Sequence, residues 1–346
     1  AAYHNRVTED DEQAIEAYEA MLRLDPEDRA AINNIGVIHY WRGEHEKAVE
    51  FYRRAAAIDT TEALSAANVA VALGNTGDYE AADSAYSVLE NLPGHERFGG
   101  WQAAFPSSYG DYEESIRRLE MRLETDEIGT AEEEFALGIL GNVAAVEGRI
   151  SKASAWFERS REAARRVSPD HVLQRGLNEA SIHLQAVQDT AAAVAMIDRT
   201  LEEVELEGLP VADWSAEWLA AILAMAGQSD RAEALLDEAT ELLDPRLRPA
   251  FERNSHAARG EIALSRGDPQ RALEEFRQQS PDDCRPCAAL GPARAFEAMG
   301  QADSAIVYYE EYIARPYHWR VFPDASFRAD VLERLGTLYE EKDDLE

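Results

Sequence analysis

Ala, Glu, Leu and Arg recur at helical spacing along this chain, and runs in which Val or Ile alternate with polar residues are hard to find. That pattern predicts helices and little or no sheet. A longer period lies over it. Ala14, Ala48 and Ala82 fall 34 residues apart, as do Tyr18, Tyr52 and Tyr86, while Gly43 with Gly77 and Asn34 with Asn68 share the same offset. A fixed offset of this size marks a stack of small units rather than one large core. The same order of residues, Gly, then Ala five positions on, then a bulky residue four beyond, returns as Gly148, Ala153, Phe157 and as Gly227, Ala232, Leu236. It returns again as Gly267, Ala272, Phe276 and as Gly300, Ala305, Tyr309, with weaker copies at Gln188, Ala193, Ile197 and at Gly110, Ser115, Leu119.

Each of these residues has a physical job. Gly ends a first helix by taking the left-handed conformation at its C-terminal cap, so the chain turns there. Ala on the second helix lets two backbones approach closely, and the Tyr or Phe one turn later fills the gap toward the following hairpin. Asp25-Pro26 stops that second helix, since Pro cannot continue one.

This grammar resembles the tetratricopeptide repeat family, whose unit is a 34-residue helix-turn-helix with small residues at the helix contact and Pro at its end. The resemblance covers nearly all of the chain. It implies an all-α fold, a right-handed superhelix of about nine antiparallel helix pairs, with residues 1–346 forming a single solenoid. Within it, 1–28 reads as a partial first repeat and 29–96 as the two best-matched repeats. Residues 97–133 read as a distorted repeat, because Phe98, Gly99, Gly100, Trp101 and Pro106 interrupt a first helix. Longer, degenerate repeats fill 134–283, with Gly208-Leu209-Pro210 and Asp244-Pro245 as connections. Final repeats occupy 284–346, Ala329 to Glu346 supplying a first helix without its mate.

From Gly267 onward the chain also resembles the C-terminal repeat region of bacterial receptor-type serine/threonine kinases. The stretches that carry this are Cys284-x-x-Cys287, Pro292-Ala293-Arg294-Ala295, Asp303-Ser304-Ala305-Ile306 and Arg334-Leu335-Gly336-Thr337-Leu338-Tyr339. The resemblance implies a ligand-sensing or scaffolding tail. It does not carry phosphoryl transfer, because the sequence has no Gly-rich phosphate loop, no His-Arg-Asp loop and no Asp-Phe-Gly.

Charge narrows the partners. The formal net charge is −33, from 67 acidic against 34 basic residues. Such a surface repels phosphate backbones and anionic lipid heads, which excludes nucleic acid, while a basic protein or peptide fits the field. The longest uninterrupted apolar run, Trp218 to Ala226, falls well short of the roughly 20 residues of a membrane-spanning helix, so no membrane insertion is expected. The compartment stays open, with an extracytoplasmic or secreted location slightly favoured; the start at Ala1-Ala2 fits a removed leader or an excerpt from a longer chain.

Residues that could carry chemistry are scarce. His39 and His45 lack the spacing and adjoining Glu of a metalloprotease helix. Cys284 and Cys287, the only cysteines, cannot complete a thiolate zinc site. A disulfide, a redox pair and two small buried thiols all fit them. Acidic runs such as Glu132-Glu133-Glu134 and Glu9-Asp10-Asp11-Glu12 lack the alternating ligands and central Gly of a calcium loop and read as helix starts. No catalytic residue, metal or cofactor is therefore expected, and the chain reads as a binding protein.

In the family that the repeats resemble, ligands lie in a concave groove lined by first helices. The register places Asn33, Asn34, Val37, Tyr40 and Trp41 on one such helix and Leu64, Asn68 and Val71 on the next. Asn34 and Asn68 hold equivalent positions; they resemble the asparagine ladders that grip a peptide backbone, and bonding between neighbouring helices fits them equally. A basic clamp for a C-terminal carboxylate is not matched, since Leu64 and Asn68 stand where Lys or Arg would be required. Trp214, Trp218 and the cluster Phe98, Trp101, Phe105, Tyr109 read as partner anchors or as core. Two incomplete terminal repeats also predict a second mode, head-to-tail stacking of copies into an extracellular filament.

Overall fold

The computed structural model describes residues 11–125, 128–279, 284 and 286–343. Among them every regular element is helical, as the periodicity predicts. Packing divides the described residues into two compact units, 11–125 with 316–320, and 128–279 with 284, 286–315 and 321–343.

The first unit contains α1 (Asp11–Leu24), α2 (Arg29–Trp41), α3 (His45–Ile58), α4 (Ala63–Thr76), α5 (Tyr79–Leu89), α6 (Gly99–Ala104) and α7 (Tyr112–Leu123). Helix α2 packs with α3, α4 with α5 and α6 with α7. Carboxylates open the helices: Asp28 accepts from the Ala31 N–H at 3.0 Å, Asp78 from that of Ala81, and Glu62 from those of Leu64 and Ser65. Each satisfies a donor that has no partner inside its helix. Where the sequence predicts distortion, the first helix is broken. Its short middle, α6, is flanked by the 3₁₀ turns His95–Phe98 and Phe105–Tyr109.

The second unit runs through α8 (Thr130–Val146), α9 (Ile150–Ala164), α10 (Pro169–Gln185), α11 (Thr190–Val204), α12 (Ala216–Met225) and α13 (Ser229–Leu242). It continues with α14 (Arg248–Asn254), α15 (His256–Ser265), α16 (Pro269–Phe276), α17 (Leu290–Ala298), α18 (Ala302–Ala314) and α19 (Ala329–Asp343). The pairs are α8 with α9, α10 with α11, α12 with α13, α15 with α16 and α17 with α18. The connections expected at Gly208-Leu209-Pro210 and Asp244-Pro245 fall between α11 and α12 and between α13 and α14. A one-turn π-helix, Asp324–Arg328, leads into α19.

The glycine grammar has the expected geometry. Gly43, Gly77, Gly110, Gly148, Gly227, Gly267 and Gly300 all take positive φ at the turn inside a pair. Gln188, in one of the two weaker copies, holds the same place with φ 57° despite its side chain. The small and bulky positions are buried in every strong copy: Ala48, Ala82, Ala153, Ala232, Ala272 and Ala305 are closed to solvent, with Tyr52, Tyr86, Phe157, Leu236, Phe276 and Tyr309 beside them. The bulky residue does not simply face the next pair, as the sequence suggests. Tyr52 packs back onto Gly36 of its own pair, where a Cβ would stand 2.8 Å from the ring, and Phe157 covers Gly141 in the same manner. Phe276 does both, seated between Gly260 of its own pair and Gly291 of the next. Helices approach closely only because these faces are bare of side chains.

Gly148 has open space where a Cβ would stand, so a substitution there reports the backbone alone. Gly148→Ala is expected to lower unfolding free energy by about 1–2 kcal/mol, and Gln188→Gly to leave it unchanged or raise it by up to about 1 kcal/mol. Urea unfolding of the two variants checks both signs.

Candidate functional site

Helical spacing puts Asn33, Val37 and Tyr40 on one face of α2, and Leu64, Asn68, Val71 and Asn75 on one face of α4. The two stripes are tied across. Asn68 Nδ2 donates to Asn33 Oδ1 at 3.0 Å and Asn75 Nδ2 to the Tyr40 hydroxyl at 3.0 Å. Asn33, Val37, Tyr40, Trp41, Leu64 and Asn68 are half-buried, and Val71 is buried. Asn34 and Asn68, equivalent in sequence, have different partners, since Asn34 Nδ2 donates back to the Tyr18 hydroxyl at 3.2 Å. Both amides thus bond neighbouring helices, the second of the two roles that the sequence allows them. Burial holds the Tyr40 hydroxyl above its usual range, offset in part by the Asn75 bond.

The C-terminal end of the α4 stripe is occupied by the chain itself. Pro316–Arg320, an irregular strap closed by a turn from Arg320 N–H to Tyr317 O, lies in the first unit although its flanking residues belong to the second. Its backbone is read by side chains: His318 N–H donates to Asn75 Oδ1 at 2.8 Å, and Ser108 Oγ donates to the His318 carbonyl. The His318 ring is fully buried, stacked on Phe105 at 5.2 Å, with Nε2 3.0 Å from the Tyr86 hydroxyl. Gly74 leaves the room for it, and Pro316 lies against Gly77. Trp319 meets Trp101 edge-on at 5.6 Å. Of the four aromatic residues proposed as anchors here, Phe98 and Phe105 are core, Trp101 faces the strap and Tyr109 is partly exposed. Burial without any compensating charge pushes the His318 imidazole down to about 3.

The second unit has its own rung and its own cover. Asn178 Nδ2 on α10 donates to Asn142 Oδ1 on α8 at 2.9 Å. The π-turn Asp324–Arg328 packs against α8 and α10, Ala325 joining Ala144, Phe157 and Ile182 in one core. Asp324 is buried and accepts from the Tyr312 hydroxyl at 3.0 Å. Buried ion pairs stitch the helices together: Glu134 with Arg175 at 2.7 Å and with His171 at 3.2 Å, Arg161 with Glu179, and Arg294 with Glu261. The Glu134 bond raises the His171 imidazole, whereas burial, opposed by the paired arginines, raises the Glu179 and Glu261 carboxyls. Trp214 is buried with its indole N–H on the Leu209 carbonyl at 3.2 Å, whereas Trp218 stays partly exposed. Cys284 and Cys287 are joined by a disulfide, one of the states that the spacing allows.

Among the described residues no group of three or more His, Cys, Asp or Glu is placed to hold a metal ion, and no helix is long and apolar enough to cross a membrane. What the first-helix faces offer is amide, hydroxyl and aromatic surface. Asn75 was legible in the sequence only as the position 35 residues after Tyr40; its role depends on a strap 243 residues away. The signal for the strap was Pro-Tyr-His-Trp-Arg itself, an aromatic run without helical period.

Asn75 serves two partners at once, so its loss leaves both the half-buried Tyr40 hydroxyl and the buried His318 N–H without it. Asn75→Ala is expected to cost about 2–4 kcal/mol, and Asn68→Ala, at a half-exposed rung, about 0.5–1.5 kcal/mol. Denaturant midpoints of the two variants, measured side by side, check the ranking.

Comparison with known proteins bears on the N-terminal part of the chain. The tetratricopeptide repeat family matches over residues 9–63. No curated protein matches the chain. Among solved structures, a tetratricopeptide repeat protein from Parabacteroides merdae is similar at 16% identity, over 82% of this chain and 91% of that one, with a TM-score of 0.40. Yeast Tom70 is similar at 15% identity, over 96% of this chain and 92% of its own, with a TM-score of 0.27. The structure of Naa15/Naa10 bound to HypK-THB is similar at 13% identity, over 88% of this chain and 61% of that one, with a TM-score of 0.26. Residues 9–63 thus match the tetratricopeptide repeat, and the helix pairs beyond them follow the plan expected of that repeat.

Proposed function

We propose that this chain is a protein-interaction scaffold without chemistry of its own, and that the paired faces of α2 and α4 dock a polypeptide segment. The observation that carries this reading is the strap. On the same face of α4, a non-helical segment is already held by a side-chain amide on its backbone N–H, with a hydroxyl on its carbonyl from the adjoining turn. Next to it, Asn33 and Asn68 each spend one end of the amide on the rung between them. Asn33 keeps its N–H groups and Asn68 its oxygen for a peptide backbone. Val37 and Leu64, half-buried beside them, supply apolar contact. A net charge of −33 favours a basic segment and speeds its arrival at low salt.

The reading is tested with a library of basic peptides and a photo-crosslinking residue at position 37 or 64. Labelling of bound peptide is expected from both positions and not from position 53, on the exposed side of α3. Leu64→Arg should weaken binding at least tenfold by repelling basic ligands and filling the face. Equal labelling from position 53, or unchanged affinity in Leu64→Arg, would overturn the assignment of this face.

A further inference from the structure

Helix α19 repeats the face pattern of α2 at an offset of 300 residues. Val331, Leu335 and Leu338 stand where Ala31, Ile35 and Ile38 do, and like them they are buried. One position on, the two helices part. In α2, Ile32 and Gly36 are buried, His39 stacks on Phe51 at 5.3 Å and the Tyr52 ring lies against Gly36. The matching Leu332, Gly336 and Tyr339 of α19 are open to solvent, Leu332 by 49% and Tyr339 by 43%. No described residue comes within 4 Å of where a Cβ on Gly336 would stand.

Elsewhere the same positions are covered by one kind of element. In α8 the equivalents are Leu137, Gly141 and Ala144, all buried, with Phe157 of α9 on the glycine. In α15, Gly260 lies under Phe276 of α16. Each cover is a helix that brings an aromatic ring four residues after a buried alanine: Ala48 and Tyr52, Ala153 and Phe157, Ala272 and Phe276. Around the open face of α19 the charge is acidic. Register places the exposed Glu333 and Glu340 along its edge, and Glu310 accepts from the Tyr339 hydroxyl at 2.6 Å. Arg334 is paired with Asp330 and Glu297, and Lys342 with Asp303. A helix seated here would meet apolar surface in the middle and carboxylates at the rim.

We propose that the Leu332, Gly336 and Tyr339 face of α19 docks a basic amphipathic helix of another polypeptide, one that carries a small residue and an aromatic residue four positions apart. The ring seats on Gly336 between Leu332 and Tyr339, and Lys or Arg beside it meets Glu333 and Glu340. Glycine is what admits the ring: at Gly36 a Cβ would stand 2.8 Å from Tyr52. A second copy of this chain suits the face less well, because each copy brings a net charge of −33. The occupant is a folded helix held by packing, so this surface differs in kind from the α2 and α4 faces proposed to dock a polypeptide segment through side-chain amides.

The probe is a synthetic α3 peptide, residues 45–58, in which a hydrocarbon staple replaces the exposed Glu46 and Glu50, holding it helical and leaving it basic. Its Ala48 and Tyr52 supply the small residue and the ring, and Lys47, Arg53 and Arg54 the charge. Fluorescence anisotropy of the labelled peptide with the full chain is expected to show saturable binding that weakens as salt is raised. Gly336→Ala, at an exposed helical position with open space around it, should leave the melting temperature unchanged or raise it, yet weaken binding about tenfold or more. Tyr52→Ala in the peptide should weaken binding to the same degree, and Glu333→Gln with Glu340→Gln should flatten the salt dependence. Leu64→Arg, on the α4 face, should leave affinity for this peptide unchanged, which separates this site from that one. Absence of binding, equal binding to Gly336→Ala, or loss of binding in Leu64→Arg would overturn the proposal. Sedimentation of the chain alone covers the remaining occupant: self-association that Gly336→Ala abolishes would give the face to a second copy and overturn the basic helix.

Discussion

The structure depends on a ring pressed against a helix that carries no side chain at the contact. Tyr52 on Gly36, Phe157 on Gly141 and Phe276 on Gly260 repeat one contact, and each spans the two helices of a single pair. A helix pair is too small to bury its apolar faces by itself, so the closeness of the two backbones decides how much surface the aromatic can close over. The Gly at the turn and the Ala on the second helix serve that approach, one by reversing the chain tightly and the other by keeping the second helix thin. Stacking then follows, because Phe276 against Gly291 shows the same ring reaching the next pair.

Polar groups use the same geometry differently. Where first helices run side by side, amides at offsets of 35 and 36 residues bridge them, Asn33 to Asn68 and Asn142 to Asn178. These bonds hold the faces at a set spacing and leave part of each amide unspent. The cleft at the end of α4 shows what such a face accepts, since its amide and the hydroxyl beside it are engaged by a segment of the chain that has no helix of its own. Histidine suits the place because a neutral imidazole packs like a small aromatic ring while offering one nitrogen to Tyr86.

The helix pairs were legible in the sequence because their signal is local and repeated. Gly, Ala and a bulky residue at fixed intervals specify turn, approach and filling, and each recurrence strengthens the others. That Asn33, Val37 and Tyr40 share one face of α2, and Leu64, Asn68 and Val71 one face of α4, follows from helical register. Their bonding was not legible. Asn34 and Asn68 share a position, yet one reaches Tyr18 and the other Asn33, because the choice depends on which acceptor the preceding helix offers within 3 Å or so rather than on spacing. The strap was hidden for a different reason. Nothing in Pro316–Arg320 encodes a partner 210 to 243 residues earlier, and the broken helix that receives it reads in sequence only as disorder in the pattern. The buried pairs Arg161 with Glu179 and Arg294 with Glu261 were lost in the crowd of acidic residues, since charge count carries no information about which carboxylate is shielded from water.

The distance along the chain between Tyr86 and His318, 232 residues, also sets a timetable. At synthesis rates of about 5–20 residues per second, the wall that receives the strap leaves the ribosome on the order of ten to fifty seconds before the strap does. Through that interval the sides of Phe105 and Tyr86 that meet His318 have only water, or some other polypeptide, to lie against.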